Sequence, residues 1–262
     1  MSRLALRTLA LGYLAALLLF PVGLVFYRTF EPGLGAVWNS ITTPAAVHAF
    51  WLTIEIAAIA VPLNTVFGVV TALVLVRGRL RATWLLDAAV DLPFAVSPVV
   101  VGLALLLLYG RTGWLGTWLA DHGLRVVFST PGMVLATIFV CLPFVVRETI
   151  PVLREVGTEQ EQAAATLGAS PLQTFWRVTL PSIRWGVAYG VVLTTARALG
   201  EFGAVSVVSG HIAGETETLT LHVQDRFEAF DLTGAYAASV VLALVALLTL
   251  VSMNLLRRKE AV

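Results

Sequence analysis

The sequence predicts an all-α integral membrane protein with six transmembrane helices. Three observations carry that expectation. The composition is 58% hydrophobic and 13% charged, apolar runs of spanning length recur along the chain, and most arginines fall at alternate ends of those runs. A chain with so little polar surface, and a mean hydropathy of +0.87, cannot cover a water-soluble fold, so lipid must be its solvent.

Crossing a hydrocarbon core of about 30 Å takes about 20 helical residues. Runs of that length lie near Leu4–Tyr27, Phe50–Val76, Trp84–Tyr109, Gly132–Ile150, Ile183–Val208 and Leu232–Leu256. The first follows Arg3 and Arg7 as a signal peptide would, but it is too long for an h-region and lacks a clear small-residue cleavage site, so it is expected to be retained. The second carries Glu55, Pro62 and Asn64, the third Pro93 and Pro98, and the fourth Pro143. Each proline frees a backbone carbonyl and predicts a kink or a protein-lined, partly hydrated stretch. In the fifth, the Gly186–Gly190 spacing permits close helix packing.

Arginine and lysine mark cytoplasmic flanks. Arg3, Arg7, Arg77, Arg79, Arg81, Arg147, Arg154, Arg177, Arg184, Arg257, Arg258 and Lys259 fall on one side of the predicted spans, and Arg28, Arg111, Arg125 and Arg226 on the other. Both termini are therefore expected in the cytoplasm. The chain divides into an N-terminal helix and outer loop (1–47), a main membrane domain (48–257) and a short cytoplasmic tail (258–262).

The longest polar interruption, Thr158–Pro181, carries two helix starts. Thr158 with Glu161 reads as a capping box, Gly168 is placed to end that first helix, and Ser170, Pro171 and Gln173 supply a second N-cap, helix-start proline and capping partner. Helix, glycine turn, helix is the expectation for this segment. Among the ionisable residues, Arg197 and Glu201 stand four apart on a stripe continued by Gly190 and Thr194, and are read as an ion pair, the alternative being that Arg197 attracts an oxyanion near the outer gate. Asp87 and Asp91 are read as partners for Arg147 or Arg154. Ser206, Ser209, Gly210 and His211 close the fifth run with hydroxyl and backbone donors, and Glu215 and Glu217 beyond them are expected to serve protein contact.

Several chemistries are excluded. The only lysine, Lys259, has no glycine-rich approach, so there is no ATP-binding P-loop. His48, His122, His211 and His222 form no HExxH or other close pair, so no metal site is expected. Cys141 is alone, which removes disulfide and CxxC chemistry. Ser209 and His211 lack the surroundings of a hydrolase nucleophile, so no catalytic residue is assigned. A net charge of +1 gives no reason to expect nucleic acid.

The segment Gln162–Ala163–Ala164, three residues, Gly168, nine residues, then Val178–Thr179–Leu180–Pro181 resembles the EAA loop of permease subunits of bacterial type I ABC importers. Gln162 stands where that pattern has glutamate, with Glu161 just before it, and Val178 replaces isoleucine. DLPFAVSPVVVG at Asp91–Gly102, LPFVVRETIPVL at Leu142–Leu153 and ARALGEFGAVSVVSGHIAGETETLTLHV at Ala196–Val223 are similar to the sulfate/thiosulfate, CysW-type branch. The resemblance implies a type I importer transmembrane domain in the bacterial inner membrane. It implies a coupling loop, with Gln162, Ala163, Ala164, Gly168, Ala169, Ser170, Phe175 and Pro181 meeting a separate ATPase that holds ATP and Mg. This chain itself needs no cofactor. The implied partners are a second, CysT-type permease, two CysA-type ATPase subunits and a periplasmic sulfate/thiosulfate-binding protein. Arg197, Glu201, Ser206, Ser209, Gly210 and His211 are candidates for the translocation path or gate. A molybdate/tungstate permease, a secondary anion transporter working alone and a membrane scaffold remain open at this point, although no inverted repeat of broken-helix pairs favours the second.

Overall fold

The computed structural model describes residues 3–78 and 82–258, with side chains at 3–6, 250 and 252–258 excepted; Arg79, Arg81 and Lys259, placed above on the cytoplasmic side, lie outside the described residues. Every regular element among them is helical. In chain order they are α1 (Arg7–Phe30), α2 (Leu34–Ile41), α3 (Pro44–Arg77), α4 (Thr83–Ala95), α5 (Pro98–Tyr109), α6 (Gly116–Asp121), α7 (Thr130–Val156), α8 (Glu159–Thr166), α9 (Pro171–Thr174), α10 (Leu180–Leu199), α11 (Gly203–Val208), α12 (Leu219–Glu228) and α13 (Leu232–Arg258). A π-helical turn over Phe175–Thr179 carries α9 straight into α10.

Among the described residues, four helices are long and apolar enough to cross a membrane: α1, α3, α7 and the Leu232–Thr249 part of α13. The other two predicted spans are interrupted. The run Trp84–Tyr109 is a pair, α4 and α5, bent by 108°. Pro98 sets the bend, because it holds Ser97 in an extended conformation and starts a new helix. Counted as one crossing, the pair brings the total to five. The run Ile183–Val208 is α10 and α11, separated where Gly200 ends the first helix. Pro62 and Pro143, by contrast, sit inside helices that run on through them.

At the centre stands α7, with 61% of its apolar window buried, whereas the window in α1 is not buried at all. Around α7 pack α3 and α10. Their approach depends on glycine. A Cβ on Gly68 of α3 would lie 2.6 Å from Val145 Cβ, and one on Gly190 of α10 would lie 2.8 Å from the Val145 Cα. One turn away, a Cβ on Gly186 would meet Val152 and the Glu148 carbonyl within about 3 Å. The predicted Gly186–Gly190 contact is thus the α7–α10 seam. Val69, Ala72, Val145, Val146, Ile150, Leu153 and Ile183 fill the space between the three helices toward one end, and toward the other Leu52, Ile56, Met133 and Val140 of α3 and α7 pack with Val205 and Val208 of α11. Cys141 is buried on the α7 face between them, with Ala57 and Ala198.

The two interrupted helices meet each other. Gly102 of α5 lies against α11, where a Cβ would come 2.7 Å from the Ala204 carbonyl, and Gly203 lies against Pro98 at 2.9 Å. Asp87 and Asp91 of α4 bind α7 through Arg147, whose guanidinium reaches them at 2.8 and 2.6 Å. Of the two arginines proposed for these carboxylates, Arg147 is the partner.

Because the obstacle at Gly190 is backbone and cannot rotate away, Gly190→Val is expected to destabilise the protein by about 3 kcal/mol, at the upper end for overpacking. Gly23→Val on α1, where an added Cβ meets nothing within 4 Å beyond its own helix backbone among the described residues, is the control and should cost less than about 0.5 kcal/mol. Thermal unfolding in detergent compares the two.

Candidate functional site

The polar loop folds as helix, turn, helix. Gly168 adopts φ +83°, where glycine carries no Cβ penalty. Its N–H donates to the Ala165 carbonyl and that of Ala169 to the Ala164 carbonyl, closing α8. The second start is as expected. The Gln173 N–H donates to Ser170 Oγ at 3.3 Å, the Ser170 N–H donates to Gln173 Oε1 at 2.9 Å, and Pro171 opens α9.

The first start differs. Thr158 makes no cap; its Oγ1 accepts from Gln162 Nε2 at 3.0 Å. Nor does Glu161 turn back to the backbone. Its carboxylate lies 3.3 Å from Arg77 Nε and accepts from Thr179 Oγ1 at 3.0 Å. A guanidinium is a stronger partner for a carboxylate than a neutral amide, and Arg77 is held within reach at the end of α3. Arg77 Nη2 also donates to the carbonyls of Leu153 and Gly157 at the end of α7. One arginine therefore joins α3, α7 and the loop, and Glu161 and Gln162 point to different partners although adjacent.

The outer face of the loop is apolar in a polar segment. Leu167 is 88% exposed, Leu172 68% and Trp176 60%. Phe175, which the resemblance places among the residues meeting an ATPase, packs inward beside Leu180 and Ile183, its ring edge-on to Trp176 at 5.3 Å. Leu167 and Leu172 were not picked out from the sequence; the signal was two leucines flanking a capped glycine turn with no core for them to join. Beneath this face, Ala163, Ala164, Leu167, Arg177 and Pro181 line an open groove of about 590 Å³. The small alanines leave the space, while Ala169 and Ser170 lie in the turn at its edge.

The second group of candidates surrounds the break after α10. Arg197 Nη1 lies 2.6 Å from Glu201 Oε2, and the Glu201 side chain is 1% exposed. The pair forms as expected, but Glu201 is not on the helical stripe, since α10 ends at Leu199. Glu201 Oε1 accepts the Ala204 N–H at 3.0 Å, capping α11, and its carbonyl accepts from Thr220 Oγ1 at 2.8 Å. Gly190 and Thr194 are buried on the inward face of α10.

Ser206, in α11, is brought together with Ser209, Gly210 and His211 of the turn that follows it. Ser209 is buried and its Oγ accepts the His211 N–H at 3.2 Å. Gly210 (φ +78°) stacks on the Phe128 ring. His211 reaches the Ser206 carbonyl at 3.1 Å and Asp225 at 3.3 Å. Glu215 is exposed, but Glu217 is not. Its side chain is 1% exposed and lies 2.8 Å from Nδ1 of His222, itself buried. Of the two glutamates expected to meet a partner protein, only Glu215 is placed to do so, because the fold uses Glu217 internally. The sequence clue was a histidine five residues on, at the start of α12.

A central helix gripped through glycines, two interrupted helices folded against each other, and an ordered polar loop with an outward apolar face define a membrane-embedded transport permease. The chain belongs to the family described as binding-protein-dependent transport system inner membrane component, whose model matches residues 64–261. It is 51% identical over 254 residues to the sulfate transport system permease protein CysW of Synechocystis sp., covering 97% of this chain and 92% of that one. It is 50% identical to CysW of Escherichia coli K12 over 93% of this chain and 84% of that one. Likeness to the CysT permease of Synechococcus elongatus is lower, 40% over 94% and 88%. Among solved structures, a bacterial alginate ABC transporter in complex with its alginate pentasaccharide-bound periplasmic protein superposes with a TM-score of 0.78 at 18% identity, covering 98% and 93% of the two chains. That likeness is one of fold.

Glu161→Ala removes a partly buried charge pair and the Thr179 bond together. Amide hydrogen exchange across residues 158–181 is expected to rise by about tenfold, for a loss of roughly 1–2 kcal/mol, while Gln162→Glu should leave exchange unchanged. Arg197→Ala leaves the buried Glu201 carboxylate unpaired, which costs on the order of 3 kcal/mol. Adding Glu201→Gln, which keeps an acceptor for the Ala204 N–H, should recover most of that loss in a thermal melt.

Proposed function

We propose that this chain is the permease subunit of an ATP-driven importer that moves sulfate and thiosulfate across the bacterial inner membrane. The observation that carries the substrate is the likeness to sulfate permeases at about 50% identity over nearly the whole chain. In this proposal the chain crosses the membrane six times, with α4–α5 and α10–α11 as interrupted crossings and both termini in the cytoplasm. It pairs with a CysT-type permease, two ATPase subunits that hold ATP and Mg, and a periplasmic binding protein.

Energetics supports coupling to ATP. Moving a divalent anion inward against a potential of roughly 100 mV, inside negative, costs about 4.6 kcal/mol before any concentration gradient. A passive path would run outward. The loop supplies what coupling requires: a stiff segment whose exposed Leu167, Leu172 and Trp176 offer a surface to an ATPase, fixed through Glu161 and Arg77 to the ends of α3 and α7. Displacement of the loop is then delivered to two helices at once. At the interrupted end, the Arg197–Glu201 pair carries no surplus charge. The turn at Ser206, Ser209, Gly210 and His211 is the proposed gate, passing an oxyanion by hydroxyl and N–H donors without trapping it.

Gly168 decides the matter of coupling. A Cβ added to it would meet nothing within 4 Å among the described residues beyond its chain neighbours, so an added side chain projects into space that the proposal assigns to the ATPase. Gly168→Asp should leave insertion and melting within about 2 kcal/mol of the parent, the cost of the positive φ, yet abolish uptake of labelled sulfate by proteoliposomes carrying the complete transporter and ATP. Normal uptake by the inserted variant would sink the coupling role. Uptake of molybdate in preference to sulfate, or uptake without ATP, would replace the substrate or the mechanism.

A further inference from the structure

The segment that joins α5 to α7, residues 110–129, carries features that the transport cycle does not use. It connects the ends of two strongly apolar helices and therefore lies where hydrocarbon gives way to water. Its aromatic residues point outward: Trp114 is 91% exposed and Trp118 56%. Tryptophan and tyrosine at this depth seat themselves among lipid headgroups.

Between this segment and the end of α5 opens a cleft of about 520 Å³. Arg111 and Arg125 line it, and Leu106, Tyr109, Leu124 and Phe128 give it apolar walls. Neither arginine has an acidic partner among the described residues. The one carboxylate in the segment, Asp121, does not line the cleft, and His122 is turned onto Trp118, with ring centroids 4.3 Å apart and Nδ1 2.8 Å from the Trp118 carbonyl. Two guanidinium groups facing one opening call for an anion, and a phosphate oxygen pair matches their forked donors. The apolar walls call for more than an anion, since a free oxyanion gains nothing from leucine and phenylalanine. A molecule with a phosphodiester at one end and hydrocarbon at the other satisfies both.

We infer that the cleft between Arg111 and Arg125 holds the headgroup of an anionic phospholipid, with Trp114 and Trp118 seated in the surrounding headgroup layer. The site is joined to the proposed gate. Phe128, one of its walls, donates its N–H to the Val208 carbonyl at 2.8 Å and carries the stacked Gly210. Occupancy of the cleft thereby supports the turn at Ser209, Gly210 and His211.

The test uses the complete transporter in detergent and a phosphatidylglycerol with a photoreactive headgroup, the crosslinked peptides being mapped by mass spectrometry. Label is expected within residues 106–128, displaced by unmodified phosphatidylglycerol and not by phosphatidylcholine. Arg111→Gln with Arg125→Gln should weaken labelling about 30-fold, the effect of two charges near an anionic surface. Arg111→Lys with Arg125→Lys, which keeps the charge, should retain most of it, and Trp114→Ala with Trp118→Ala should lower it without changing the melting temperature. Labelling that the glutamine variant leaves unchanged, or that maps elsewhere, overturns the site. Displacement by inorganic sulfate or phosphate at the same concentration as the lipid would make it a free-oxyanion site instead, and displacement only by the periplasmic binding protein would make it a protein contact.

Discussion

In a membrane, helices gain nothing by hiding apolar surface from one another, because lipid is as apolar as leucine; they associate through close backbone contact and through polar bonds. This fold depends on that constraint at one residue above all. Val145 of α7 receives Gly68 from one side and Gly190 from the other, at distances that admit no Cβ on either glycine. With three helix axes set so close, the rest follows as a matter of reach. Arg77 comes near enough to the end of α7 to take its carbonyls, and the Glu161 carboxylate meets the same guanidinium.

The ion pairs divide by setting. Arg147 with Asp87 and Asp91 is half exposed and joins α7 to α4, and Glu201 with Arg197 is buried on the carboxylate side. A buried carboxylate needs an opposite charge close by, and Glu201 has the Arg197 guanidinium 2.6 Å from one oxygen and the Ala204 N–H on the other. Glu217 meets His222 through one oxygen only across the start of α12, and its other oxygen is buried without a hydrogen-bond partner among the described residues.

Much of this was legible in the sequence because it rests on local rules. Apolar run length marked α1, α3, α7 and α13; the Gly168 turn and Ser170 cap followed from residue type and spacing; and charge sign led to Arg147 with Asp87 and Asp91. What escaped was set by tertiary contact. Thr158 and Glu161 have the spacing of a capping box, but Arg77, 84 positions earlier, takes the carboxylate. Phe175 and Trp176 look equivalent in sequence, and only the packing of α10 decides which one turns inward. Pro98 marked a kink in the third span but not a bend of 108°, and the break at Gly200 in the fifth was not marked, because hydropathy is blind to direction. An apolar run through Ser97–Pro98 or Gly200–Glu201 keeps its average whether or not the axis continues.

The two interruptions also share one place, and that has a bearing on how the chain tolerates change. Every helix break leaves carbonyl and N–H groups without partners in their own helix, and hydrocarbon cannot supply them. By setting Gly203 against Pro98 and Gly102 against Ala204, the fold gathers both sets of loose ends into one place instead of two. Each break is thereby a condition for the other. Drift in sequence at one interruption is constrained by its neighbour, so substitutions at Pro98 and around Gly203 are expected to arise together over evolutionary time.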